Sequence, residues 1–194
     1  MFIHSHKKMS EFIYSNIESQ TSFSLNKFVF KTGNMSPDLP IYHRHLKHYK
    51  HQNFSYIVEM INDLSLIDPT ESTSTHALYS YRLGVIAHYV CDYFCLPHHD
   101  REYYEAHLPE HLLYEKNLHK EVKNYSNETI EKYETSEFTS DDLIGIFDVY
   151  IAKYHAEENS FEKDINYAIN AASMVCSIVV AQSLKIGTEI LVYA

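Results

Sequence analysis

Between Ala87 and Asp100 the chain reads AHYVCDYFCLPHHD, and further on it reads HLLYE. His88 and Asp92 stand four residues apart, so on a helix they project from one face. An imidazole and a carboxylate so placed can grip one divalent cation. His98 follows Pro97, where the chain is expected to leave the helix and can turn back toward that pair. His111 and Glu115 repeat the four-residue spacing downstream. Two such pairs facing inward in a helical bundle can build a multinuclear metal site. Imidazole and carboxylate donors suit zinc, and also iron or manganese. Bound dications lower the pKa of water and clamp the oxygens of a phosphoester. No serine or cysteine lies in a setting that would make it a nucleophile, so metal-assisted hydrolysis is the chemistry expected.

Helices must position these groups. His6 to Ile17 has apolar residues at helical spacing (Met9, Phe12, Ile13, Ile17). Phe23 to Phe30 is a second helix candidate, with Gly33 as its stop. Gly33 to Ile41, GNMSPDLPI, holds two prolines and reads as a loop. A basic, histidine-dense stretch, YHRHLKHYKHQN, runs from Tyr42 to Asn53, and Phe54 to Leu66 follows as a helix. A long helix is expected from Ser72 or Thr73 to about Leu96, where Pro97 ends it. Another covers Pro109 to Val122, and the polar run NYSNETIEKYETSEFTSDD after it reads as a surface loop. Ser140 offers an N-cap for a helix through Tyr154. The last helix starts near Phe161 and passes Leu184, with Gly187 as a break. The fold class expected is all-α, a bundle of about seven helices, with residues 1–194 forming one domain.

Composition agrees and narrows the function classes. Hydrophobic residues make up 45% of 194, with only 4 Gly and 5 Pro, which favours a folded helical globule. Net charge is −10 with His neutral, which disfavours stable nucleic-acid binding and leaves at most peripheral membrane contact. Bound cations would still admit a small anionic substrate. The 14 histidines are an excess without a poly-His run, a pattern that points to metal ligation. Cysteine is limited to Cys91, Cys95 and Cys176, with no disulfide framework, which fits a reducing compartment. Cys91 and Cys95 lie four apart and could share a metal, but free cysteine is ordinarily a small core residue. The start MFIHSHKKMSEF lacks a signal-peptide apolar region, so a cytoplasmic location is expected. Ala171 to Val180 is too short and too polar to span a bilayer and reads as a buried core helix.

HYVCDYFCLPHHD followed by HLLYE resembles the bacterial zinc-dependent phospholipase C family, which includes the clostridial alpha-toxin catalytic domain. The single-strand-specific zinc nucleases share its fold and ligand set. GNMSPD resembles the family's loop ending in a metal-binding aspartate, here Asp38. His48-Tyr49 matches the family's next ligand, a histidine followed by an aromatic, with His45 and His51 as rivals. SHKKMSEFIYSNI resembles the first helix, with His6 as its ligand. The resemblance covers about the first two-thirds of the chain and implies two to three zinc ions. Asp38, His48, His88 and Asp92 would hold one, and His98, His111 and Glu115 a second. Asp92 would bridge to a third that also takes His6. The family completes that third site with an N-terminal Trp. This chain has Trp 0 and begins Met1-Phe2, so either the third site is absent or His4 replaces the donor.

The resemblance implies a zinc-dependent phosphodiesterase acting on phospholipid headgroups, with Asp38 orienting or deprotonating the attacking water. The alternatives are a single-strand nuclease or phosphomonoesterase on the same metals, and a non-catalytic metal-binding protein with a degenerate third site. HLPEH, His107 to His111, also matches the HxxEH pattern of some zinc peptidases, but Pro109 would break the helix that motif needs. The other histidines, among them His43, His99, His119 and His155, read as structural or solvated. One or two of the 17 tyrosines could line a choline pocket by cation–π contact.

Overall fold

Local chemistry starts the helices. Ser72 accepts the Thr75 amide at 3.0 Å and opens the long fourth helix, and Asn26 accepts the Val29 amide at 3.2 Å to open the second. The computed structural model describes residues 1–39, 48–99, 106–126 and 140–193. Among these there are eight α-helices and no strand: α1 Ile3–Thr21, α2 Lys27–Met35, α3 Lys50–Ser65, α4 Thr73–Asp92, α5 Leu96–His99, α6 Leu108–Asn124, α7 Ser140–Ala156 and α8 Phe161–Tyr193. A 3₁₀ turn, Ser36–Asp38, follows α2. The helix beyond the expected seven is α5, a single turn too short to show any periodicity in sequence.

Helix α4 is the axis of the molecule. From Leu83 to Asp92 every residue is buried, because α2 covers one side and α8 the other, with α1 and α3 adding contacts. The α2–α4 contact depends on two glycines. A Cβ on Gly33 would stand 2.1 Å from the Tyr81 carbonyl oxygen, and one on Gly84 would stand 2.2 Å from that of Phe30. Gly33 therefore does not stop α2, as its type predicted; it lets the two backbones touch. The segment read as a loop from Gly33 is helical through Asp38.

Helix α8 is longer than expected, and Gly187 does not break it. By length and composition alone Phe161–Ile186 could cross a membrane, but 67% of its most apolar window is buried inside the protein. Its polar residues bond inward: Ser173 accepts from Asn16 at 3.0 Å, and Ser183 accepts from Tyr79 at 2.9 Å and donates to the Leu64 carbonyl at 3.0 Å. These contacts make it the core helix around which α1, α3, α4 and α7 pack. Most of the polar run after α6 lies outside the described residues.

Candidate metal centre

The C-terminal end of α4 carries the centre. His88 and Asp92 are fully buried there, and their i,i+4 spacing brings His88 Nε2 within 3.3 Å of Asp92 Oδ2. The α2–α4 contact orients the imidazole. His88 Nδ1 lies 2.8 Å from the Asn34 carbonyl, which can only accept, so Nδ1 holds the proton and the Nε2 lone pair faces the cluster. The Asn34 side chain, with its nitrogen toward the His6 carbonyl (2.9 Å) and its oxygen toward the His88 amide (3.1 Å), ties α1 to α4.

Five other segments bring donors to the same place. From α1, His6 Nε2 reaches Asp92 Oδ1 at 3.1 Å, and its ring stacks on His88 with centroids 3.8 Å apart. From the 3₁₀ turn, Asp38 Oδ1 stands 3.7 Å from His48 Nδ1 and 3.8 Å from His88 Nε2. Just before α3, His48 Nδ1 lies 2.8 Å from Asp92 Oδ2. Of its rivals, His51 is exposed and stacks on Tyr49, while His45 lies outside the described residues, as does His43. His98 stands on α5 rather than in a bare loop, because Pro97 occupies the first turn, where its missing N–H needs no partner. His98 Nε2 lies 3.1 Å from Glu115 Oε1, and His111 Nε2 on α6 lies 3.0 Å from the same oxygen.

The Met1 amino group enters the cluster as well. Its ammonium donates to Asp92 Oδ1 at 2.8 Å and to His98 Nε2 at 2.7 Å, and lies 3.1 Å from Glu115 Oε1. Sequence reasoning offered His4 for this position. His4 instead is exposed and sits beside His119. A backbone amine has no side-chain signature, so only the resemblance's terminal donor pointed toward it.

Charge and burial describe what this cluster needs. Asp38, Asp92 and Glu115 carry three negative charges against one ammonium. Burial lowers His6, and together with the adjacent His6 it lowers His88 to about 4. Burial and the Met1 ammonium lower His98. These three imidazoles are neutral, as metal donors must be. Burial opposes ionisation of Met1 too, yet Asp92 and Glu115 hold its amine well above the ordinary value. Burial would raise Glu115, but the Met1 ammonium and the adjoining imidazoles of His111 and His98 pull it below the usual range. Burial raises Asp38, whereas His48 is raised despite burial by its bond to Asp92. His6 Nδ1, His98 Nδ1 and Asp38 Oδ2 are buried without a hydrogen-bond partner. An excess of buried carboxylate among neutral imidazoles fits a site for dications. Three groups of donor atoms, each mutually within 4.8 Å, mark where ions would fit: His6 with His88 and Asp92, Asp38 with His48 and His88, and Cys95 with His98 and Glu115.

The peptidase-like HLPEH does not converge. His107 precedes α6 in a non-helical conformation, and both His107 and Glu110 are exposed. Pro109 does not break this helix; it lies in the first turn of α6, and the helix runs on through His111.

A family model described as zinc dependent phospholipase C matches residues 5–162. No curated protein and no solved structure matches the chain.

Proposed function

Because the chain belongs to the zinc-dependent phospholipase C family, we propose that it hydrolyses the phosphodiester of phospholipid headgroups. The observation that carries this reading is the double use of Asp92. One oxygen faces His48 and His88 at 2.8 and 3.3 Å; the other faces the Met1 amine and His6 at 2.8 and 3.1 Å. A fully buried carboxylate with different donors on each oxygen is suited to bridge two cations. Asp38, His48, His88 and Asp92 would hold one zinc, and His98, His111 and Glu115 a second. Asp92, His6 and the Met1 amine, once deprotonated, would hold a third. Zinc supplies Lewis acidity and brings the pKa of water toward neutrality.

The chain's own groups do the rest. Asp38, partly exposed and raised by burial, would orient the attacking water and take its proton. The Asn34 carbonyl holds the His88 tautomer. Exposed apolar residues flank the site: Leu39 follows Asp38, while Leu108 and Leu112 share the flank of α6 beside His111. That rim, with net charge −10, favours a lipid over a nucleic acid substrate.

Elemental analysis of untagged protein, paired with hydrolysis of a chromogenic phosphodiester before and after chelation, tests the reading. Two to three zinc ions and a rate that collapses on stripping and returns with zinc are expected. Equal rates with and without zinc would exclude a metal-dependent enzyme. Headgroup release from vesicles set against degradation of single-stranded DNA separates the lipase from a nuclease. Leu112→Asp should lower release from vesicles several-fold while sparing the soluble chromogenic substrate; an equal loss on both would remove the lipid-contact role of that rim.

A further inference from the structure

The three cysteines have different surroundings, although all are buried. Cys91 Sγ lies 3.7 Å from the Ala168 carbonyl and Cys176 Sγ 3.8 Å from that of Leu83. Both are small core residues whose thiols donate weakly to backbone. Cys95 lies in the turn between α4 and α5, so it does not share a helix face with Cys91 as four-residue spacing alone implied. Its sulfur instead enters the polar cluster: Cys95 Sγ, a His98 nitrogen and a Glu115 oxygen all lie within 4.8 Å of one another. The Cys95 amide donates to the Asp92 carbonyl at 3.1 Å, and its carbonyl accepts from the His98 amide at 2.9 Å. The turn thus carries the sulfur between Asp92 and His98 on a backbone bonded at both ends. Side chains around it add a second sign of a ligand: the Nε2 atoms of His98 and His111 converge on one Glu115 oxygen at 3.1 and 3.0 Å, and the His98 side chain is almost wholly buried.

We propose that Cys95 is a thiolate donor to the ion held by His98, His111 and Glu115. This rests on the metal reading above and adds a residue that the histidine and carboxylate pattern does not contain. The chemistry is consistent. Two imidazoles, one carboxylate and one thiolate make a four-donor set of the kind tetrahedral zinc takes. The two anionic donors neutralise the dication, which suits a buried place. The thiol proton leaves to solvent as the metal binds, so no oxidant or reductant is needed. A soft sulfur donor also selects zinc over manganese, which imidazole and carboxylate alone do not.

The test uses the full-length protein. X-ray absorption at the zinc edge of the zinc-loaded wild type should show a sulfur neighbour at about 2.3 Å. Cobalt-loaded wild type should show a thiolate-to-cobalt charge-transfer band in the near ultraviolet. Cys95→Ser should lose that band and bind zinc at least about tenfold more weakly; Cys91→Ser should keep it. Zinc bound at full stoichiometry with only nitrogen and oxygen neighbours would overturn the role of Cys95 and leave the enzyme reading intact. Protein that binds no zinc would overturn both. The wild-type spectra decide the matter even if Cys95→Ser fails to fold.

Discussion

Two fully buried aspartates, Asp92 and Asp164, sit in opposite kinds of polar cluster. Asp164 on α8 is surrounded by groups that bring their own protons. Its Oδ1 accepts from the Tyr154 hydroxyl at 2.7 Å, and its Oδ2 accepts from the Tyr114 hydroxyl at 2.9 Å and the Leu96 amide at 3.0 Å. Neighbouring Lys163 closes the end of α7, donating to the Tyr154 and Glu157 carbonyls and to Asn159. Asp92 is surrounded mainly by imidazoles and other carboxylates, whose lone pairs outnumber the available protons. Burial raises Asp164, and its three donors only partly counter that. Burial would raise Asp92 as well, but the Met1 ammonium, with the imidazoles of His98, His6 and His88 around it, holds it well below the ordinary range. A carboxylate satisfied by hydroxyl and amide protons is architecture, whereas one crowded by lone pairs is built for cations.

The two clusters nevertheless meet. Asp164 takes the first amide of α5, which carries His98, and the hydroxyl of Tyr114, next to Glu115. The satisfied cluster thereby holds two donors of the other in place.

Substitutions can break this contrast. Asp92→Asn should have the largest effect: loss of the bridged ions by elemental analysis, and a fall in phosphodiester hydrolysis of roughly 10²–10³ or more, with helicity retained. Unchanged zinc content would end the bridging role. Asp164→Ala should act mainly on stability, since each buried donor left unpaired costs about 1–3 kcal/mol. The denaturant midpoint should drop, and zinc affinity should weaken far less than in Asp92→Asn, because Asp164 steadies His98 and Glu115 through Leu96 and Tyr114 without being a donor itself. Gly84→Ala should strike both properties. Its Cβ would meet the Phe30 carbonyl oxygen at 2.2 Å and the Asn34 amide at 2.8 Å, pushing the Asn34 carbonyl off His88. Stability should fall by about 1–3 kcal/mol and zinc affinity by about 10- to 100-fold; a zinc titration beside a melt separates the two.

The smallest effect is a pH slope. Because the folded protein raises Asp164, between the unfolded and folded values it keeps a proton that the unfolded chain has released. That term stabilises the fold at acid pH and is lost as pH rises through the folded value. The neutral Asp164→Asn removes it, so stability relative to wild type should improve as pH rises across the carboxyl range. A flat difference would mean that Asp164 ionises as freely in the fold as in the unfolded chain.

Helical spacing made much of the fold and the candidate site legible. His88 with Asp92, and His111 with Glu115, share a face because a helix returns after about four residues, and neither pairing needs knowledge of the rest of the chain. The start of the fourth helix was readable for a local reason too, since Ser72 caps its first turn. Gly33 was not, because a stop and a close approach of backbones use the same residue type, and only the partner Gly84 tells them apart. His48 could not be separated from His45 and His51 by spacing, since nothing in a histidine-dense stretch says which ring turns inward.

The sequence by itself determined the helical class, the two i,i+4 donor pairs and the excess of imidazole over any structural need. All of these follow from residue type and a period set by the backbone. Only the tertiary structure decided that the Met1 amine, Cys95 and Asp164 reach the same end of α4, because they come together through contacts between residues as distant in sequence as Met1 and Glu115. Such contacts depend on how helices pack, and no local pattern records that.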